Sequence, residues 1–129
     1  MNTTKVAAER GDWRVPLKLK LSALWAALMS LYIYCDHISL FKPGQLEEMM
    51  AGRMGPFAVT QTSLLTGSLL MVIPAAMIFV TLALKSSVSR WVNIVLGVVY
   101  TAVNVANLLG EPWAYYVLFG TAELAATLL

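Results

Sequence analysis

The stretch "TSLLTGSLLMVIPAAMIFVTLAL", residues 62–84, decides the fold. It runs for about 20 residues without a charged side chain, which is the length that a helix needs to cross a bilayer core of about 30 Å. Three other stretches are similarly apolar: residues 21–41, 91–109 and 113–129. The sequence therefore predicts an all-α fold, a bundle of four transmembrane helices with antiparallel neighbours and short loops.

Turn-forming residues separate these four spans. The breaks are Pro43-Gly44, Lys85-Ser86-Ser87 and Gly110-Glu111-Pro112. We expect two regions, a basic N-terminal segment over residues 1–20 and a single transmembrane domain over residues 21–129. The first span is too long for a cleaved signal peptide and lacks a small-residue cleavage site near its end.

Composition supports a membrane protein. Of 129 residues, 59% are hydrophobic and 12% are charged, against about 25% charged in ordinary soluble domains. The expected partner is the lipid bilayer. A net charge of +2 without a basic patch does not favour nucleic acid, and a single cysteine cannot form an intramolecular disulfide.

Basic residues are unequally divided between the two sides of the predicted membrane. Seven fall before the first span or between the second and third, and two, Lys42 and Arg53, fall opposite. By the positive-inside rule both termini are expected in the cytoplasm.

The opposite side carries the loop "KPGQLEEMMAGRMGPF", residues 42–57, whose Leu46, Met49, Met50 and Met54 are spaced as on a helix. A short interfacial amphipathic helix is expected, acting as a plain connector or as a lid over a cavity.

Polar side chains occur in all four spans near the predicted outer ends of the helices. Asp36 and His37 interrupt the first span, and a carboxylate at membrane depth is a functional candidate by default, although it can also serve as a structural acceptor. We predict a ligand-binding polar pocket at this level. Its residues are Tyr32, Asp36, Gln61, Asn104, Asn107 and Tyr115. Interhelical hydrogen bonding is the alternative role for the asparagines.

The spacing of Trp25, Met29, Tyr32 and Asp36 places them on one helical face, which we expect to pack against the other helices. His37 lies about 100° further round the helix. Because consecutive helical residues diverge, Cys35, Asp36 and His37 do not form a catalytic triad.

Glu123 lies near the middle of the last span, where water is excluded and the charged form is disfavoured, so we expect it to be largely protonated at neutral pH. Asp36, His37 and Glu123 are thus the protonatable candidates. In the second span, Pro74 removes a backbone donor and leaves the carbonyl of Leu70 without its helical partner. No metal-ligand or phosphate-loop spacing is present, so no metal or cofactor is predicted.

Three segments, "YCDHISLFKPG" (34–44), "SRWVNIVLGVVYT" (89–101) and "YYVLFGTAELAATLL" (115–129), resemble an uncharacterised bacterial family of small four-helix membrane proteins, itself similar to the DoxX-like proteins. The resemblance covers nearly the whole chain after residue 16. It implies a four-helix bundle in the bacterial cytoplasmic membrane. Family members carry an apolar residue where this chain has His37, and they continue past Leu129, which implies a clipped C-terminus here.

Three functions remain open. The first is binding of a small amphipathic or lipid-like molecule, alone or as an accessory subunit. The second is an oligomeric channel or proton-coupled transporter, and the third is the partner subunit of a membrane oxidoreductase. We favour the first over the second, because four short helices enclose too little space for a pore unless the chain forms a homo-oligomer. An enzymatic role is not favoured, because the residues form no catalytic triad and supply no recognisable cofactor ligands.

Overall fold

The computed structural model describes residues 14–129. Its elements, in chain order, are α1 (Leu17–Ser39), α2 (Gln45–Met50), β1 (Arg53–Met54), β2 (Phe57–Ala58), α3 (Gln61–Ala83), α4 (Ser86–Leu108) and α5 (Ala114–Leu128). The helices α1, α3 and α4 have 23 residues each and are long and apolar enough to cross a membrane. Helix α5 has 15 residues.

The long helices pack in a definite order. Helix α1 contacts both α3 and α5 along much of its length, α5 also contacts α4, and α3 meets α4 more sparingly. Gly120 allows the close approach of α5 to α4, because a Cβ at this position would lie 2.3 Å from Cδ2 of Leu108.

The first connection differs from the predicted amphipathic helix. Helix α2 has only six residues, and Met54 belongs instead to a two-stranded antiparallel hairpin, where it pairs with Phe57. Gly52 and Gly55 have positive φ angles of 76° and 58°, a conformation that glycine adopts without strain and that ends the helix here. The all-α fold thus carries one very short β-hairpin.

Local capping sets the start of α3. The Thr60 side chain accepts a hydrogen bond from the Ser63 backbone N–H, and the Ser63 side chain accepts one from the Thr60 N–H. This reciprocal arrangement satisfies two backbone donors that a helix start would otherwise leave free. At the other end of α3, only Leu84 and Lys85 separate it from α4, so the two helices are antiparallel neighbours in sequence.

The core is small and rich in aromatic residues. It consists of Trp25, Leu28, Tyr32, Met77 and Tyr100, with the Trp25 and Tyr100 rings in an edge-to-face contact at 5.8 Å. Large apolar side chains such as Leu65, Val72 and Phe79 are exposed on the outside. Several polar side chains, among them Ser89, Asn104 and Glu123, are buried, while these large apolar side chains face outward, as expected for helices whose surroundings are lipid.

Candidate functional site

A cavity of about 820 Å³ lies between α1 and α4, beside the last turn of α5. Its walls are mainly apolar, with Leu21 and Leu24 from α1 and Ile94 and Val98 from α4. Two basic residues, Lys18 and Arg90, also line it. Pockets of roughly 300–1,000 Å³ with apolar walls and few polar groups are typical of small-molecule sites.

A polar network forms the inner wall of this cavity. The Trp25 Nε1–H donates to Oδ1 of Asn93 at 2.7 Å, and Nδ2 of Asn93 donates to the Ser89 carbonyl at 2.7 Å and to Oγ1 of Thr81 at 3.3 Å. The Ser89 hydroxyl donates to the Thr81 carbonyl at 3.1 Å. We call Trp25, Thr81, Ser89 and Asn93 the Asn93 network. The network joins α1, α3 and α4. Both the oxygen and the nitrogen of the Asn93 side-chain amide have hydrogen-bond partners within the protein.

The proline in α3 is compensated by α4. The Tyr100 hydroxyl donates to the carbonyl of Leu70 at 2.6 Å, which is the carbonyl that Pro74 leaves without a helical donor. A side chain of this same protein therefore replaces the helical donor that Pro74 removes.

A second polar group lies nearer the other end of the helices. The Tyr32 hydroxyl donates to Oδ1 of Asn104 at 2.7 Å, and Asn104 is fully buried, with an exposed fraction of 0%. Within residues 14–129, Nδ2 of Asn104 has no hydrogen-bond partner. Leaving such a donor unpaired costs about 1–3 kcal/mol.

Glu123 is buried beside this pair, with an exposed fraction of 5%. Its carboxyl group lies within electrostatic reach of Tyr32 on α1 and Tyr116 on α5. In the part of the chain that the structure describes, the hydrogen bonds of Glu123 involve its backbone carbonyl, which accepts from Thr127. We call Tyr32, Asn104 and Glu123 the Asn104 cluster.

Asp36 lies at the edge of this cluster and is exposed, as is His37. The buried residues of α1 are Ser22, Trp25, Leu28, Tyr32 and Cys35. From Trp25 onward they follow the 3.5-residue spacing of supercoiled helices. The predicted buried face contained Met29 and Asp36 in place of Leu28 and Cys35. In the structure Cys35 is buried and Asp36 is exposed. Of the four residues on the predicted face, Trp25 and Tyr32 are buried, whereas Met29 and Asp36 are not.

The other predicted pocket residues are spread over the outside of the same end. Gln61 and Asn107 are exposed, while Tyr115 is half-buried. The Ser39 hydroxyl donates to the Cys35 carbonyl at 2.8 Å, which leaves Tyr115 to donate to Ser39 at 3.1 Å. The structure therefore brings Tyr32 to Asn104, but Gln61 and Asn107 do not join them.

None of the six predicted pocket residues lines the 820 Å³ cavity, which lies at the opposite end of α1. The sequence reasoning missed Asn93, Ser89 and Thr81. The signal that could have found them is the one used for Asn104, an amide or hydroxyl within an apolar span, applied also to the basic end of the helices. Among residues 14–129, no group of three His, Cys, Asp or Glu side chains is placed to hold a metal ion.

The fold defines an all-helical protein with three helices suited to crossing a membrane, which indicates a membrane protein. Comparison with family profiles makes the assignment more specific. The chain belongs to DUF6326, a family of unknown function whose profile matches residues 10–129. No curated protein and no solved structure matches the chain.

Proposed function

We propose that this protein is an integral membrane protein that binds a small amphipathic, lipid-like molecule in the cavity between α1 and α4. The observation that carries the proposal is the cavity itself, which has apolar walls, basic residues and a volume of about 820 Å³. We place the binding site here rather than at the predicted outer pocket, because Gln61 and Asn107 are exposed, whereas the Tyr32–Asn104 pair is buried.

The proposed setting is the cytoplasmic membrane of a bacterium, with α5 as the fourth span of a DoxX-like four-helix bundle. Support comes from the packing of α5 against α1 and α4. Both termini are then cytoplasmic, and so is the mouth of the cavity near Lys18 and Arg90. Cysteine introduced at Gln45 is expected to react with an impermeant reagent on intact cells, whereas cysteine at Ser87 is not. The reverse pattern would invert this orientation.

Binding is tested by native mass spectrometry of the purified protein, using hexadecanol and palmitate as probes of one chain length. At least one of them is expected to bind with a 1:1 stoichiometry. Ile94→Trp introduces a large ring at a partly exposed position that lines the cavity, and it should weaken binding about tenfold or more, equivalent to about 1.4 kcal/mol.

Leu69→Trp is the matched control, because Leu69 is similarly exposed on α3 but does not line the cavity. It should leave binding unchanged. If neither probe binds the wild-type protein, or if both variants weaken binding equally, the proposed function is wrong.

A second candidate is proton-coupled transport or conduction by a homo-oligomer. The buried carboxyl group of Glu123 favours it, since ionisable groups inside membranes often serve as proton sites. In proteoliposomes with an imposed pH gradient, this function predicts proton flux that Glu123→Gln abolishes. Equal flux in wild type, variant and empty liposomes would exclude it.

A further inference from the structure

We infer that the ligand of this cavity is a single-chain amphiphile with an anionic headgroup, held by Lys18 and Arg90 while its alkyl chain lies between α1 and α4. This inference rests on the proposed function and adds the charge and orientation of the ligand.

The charge of the lining is one-sided. Lys18 and Arg90 are its ionisable side chains, and among the described residues that line the cavity there is no aspartate or glutamate. Lys18 is held in place, because its ammonium group donates to the carbonyl of Leu84 at the end of α3. An ammonium has three donors, so two N–H groups of Lys18 remain for a ligand.

Arg90 is exposed and presents a planar guanidinium, which suits the paired oxygens of a carboxylate or phosphate. The start of α4 adds to the positive electrostatic potential at this end of the cavity. Ser86, the first residue of α4, lines the cavity, and the first backbone N–H groups of a helix carry partial positive charge. All these contributions favour an anion at the same end of the cavity.

The deeper walls favour an alkyl chain. Among the polar groups there, Trp25 Nε1 and both ends of the Asn93 amide already have partners in the protein, and Thr101 adds one hydroxyl to the lining. Leu28 and Val98 supply apolar surface beside them. A ligand with polar groups along its length would find few free donors in this part, whereas a hydrocarbon needs none. The headgroup is therefore at the basic end and the chain points toward the core.

The experiment compares three probes with the same C16 chain, namely palmitate, palmitoyl lysophosphatidic acid and hexadecanol. Their affinities are measured for wild type, Arg90→Gln and Arg53→Gln by native mass spectrometry at fixed ionic strength. We expect one or both anions to bind about tenfold more tightly than the alcohol, because hydrogen bonds between charged partners are roughly twice as strong as neutral ones. Whichever anion binds more tightly identifies the headgroup as carboxylate or phosphate.

Arg90→Gln should weaken binding of the anions much more than binding of hexadecanol and so remove most of this preference. Arg53→Gln, in the hairpin and outside the cavity lining, should change nothing. Thermal melting of each variant verifies that it folds. Equal binding of anions and alcohol, or an equal anion preference in Arg90→Gln, overturns the anionic headgroup but leaves amphiphile binding intact. Failure of all three probes overturns the proposed function instead.

Discussion

The Asn93 network and the Asn104 cluster are two asparagine sites on the same helix, and they differ in how fully the hydrogen-bonding groups of the asparagine are paired. Asn93 is half-buried, whereas Asn104 is fully buried. Asn93 uses both ends of its amide, with partners on α1, α3 and α4. Asn104 uses its carbonyl oxygen for Tyr32, while no partner for its amino group lies within residues 14–129. The saturated site stands beside an open cavity, and the unsaturated site is fully enclosed. An unpaired buried polar group therefore does not by itself indicate where a cavity lies.

The largest expected effect is at the saturated site. Asn93→Leu leaves the Trp25 N–H and the Thr81 hydroxyl without their partner, so it should lower the free energy of unfolding in detergent by about 1–3 kcal/mol. Asn107→Leu, an exposed amide on the same helix, is the control and should change stability little. Equal effects of the two substitutions would mean that the Asn93 network does not stabilise the fold.

The next effect concerns the compensated proline. Tyr100→Phe leaves the Leu70 carbonyl unpaired and should cost about 1 kcal/mol. Alanine at position 74 restores a backbone donor for that carbonyl, so Tyr100→Phe should cost distinctly less in a Pro74→Ala background. This double-mutant cycle is measured by equilibrium unfolding in detergent. Additive effects would show that the tyrosine does not replace the missing helical hydrogen bond.

A smaller effect is expected at the unsaturated site. Asn104→Leu removes the unpaired amino group together with the hydrogen bond from Tyr32. In the double variant, Tyr32→Phe also removes the hydroxyl that Asn104→Leu would leave without a partner. Because both partners become apolar, the double variant should lie within about 0.5–1 kcal/mol of wild type. If the double variant lost as much stability as Asn93→Leu, Asn104 would have a further hydrogen-bond partner besides Tyr32.

The smallest effect is expected at Glu123. If its carboxyl group is protonated, Glu123→Gln preserves size and hydrogen-bonding capacity, and its melting temperature should stay close to that of wild type. Glu123→Leu provides the comparison. A loss with glutamine comparable to that with leucine would show that the negative charge itself is required.

The sequence was a good guide to local properties. The spans predicted at residues 21–41, 62–84, 91–109 and 113–129 each overlap an observed helix, because apolar length depends only on neighbours in sequence. The start of α4 was placed five residues late, at Trp91 instead of Ser86. The serines and Arg90 are polar, as residues of a loop often are, but the beginning of a helix tolerates polar residues.

Relations between helices were harder to predict. Trp25 and Tyr32 were assigned to the buried face of α1 correctly, but Asp36 was not. The buried face continues through Leu28 and Cys35, which lie on the other side of Trp25 and Tyr32 from Asp36. The cavity is formed by α1, α4 and α5 together, and the relative positions of these helices cannot be predicted from any one segment of the sequence. Asn93 lay within a correctly predicted span, and its partner Trp25 is 68 residues away.

The bond from Tyr100 to Leu70 has a consequence for motion. Helix α3 contacts α4 sparingly, so this bond ties the two helices at the turn where Pro74 weakens α3. Any displacement of that turn must move Tyr100 or break the bond. Tyr100 in turn packs edge-on against Trp25, which lines the cavity. A displacement of α3 at Pro74 would therefore reach the cavity wall through Tyr100 and Trp25.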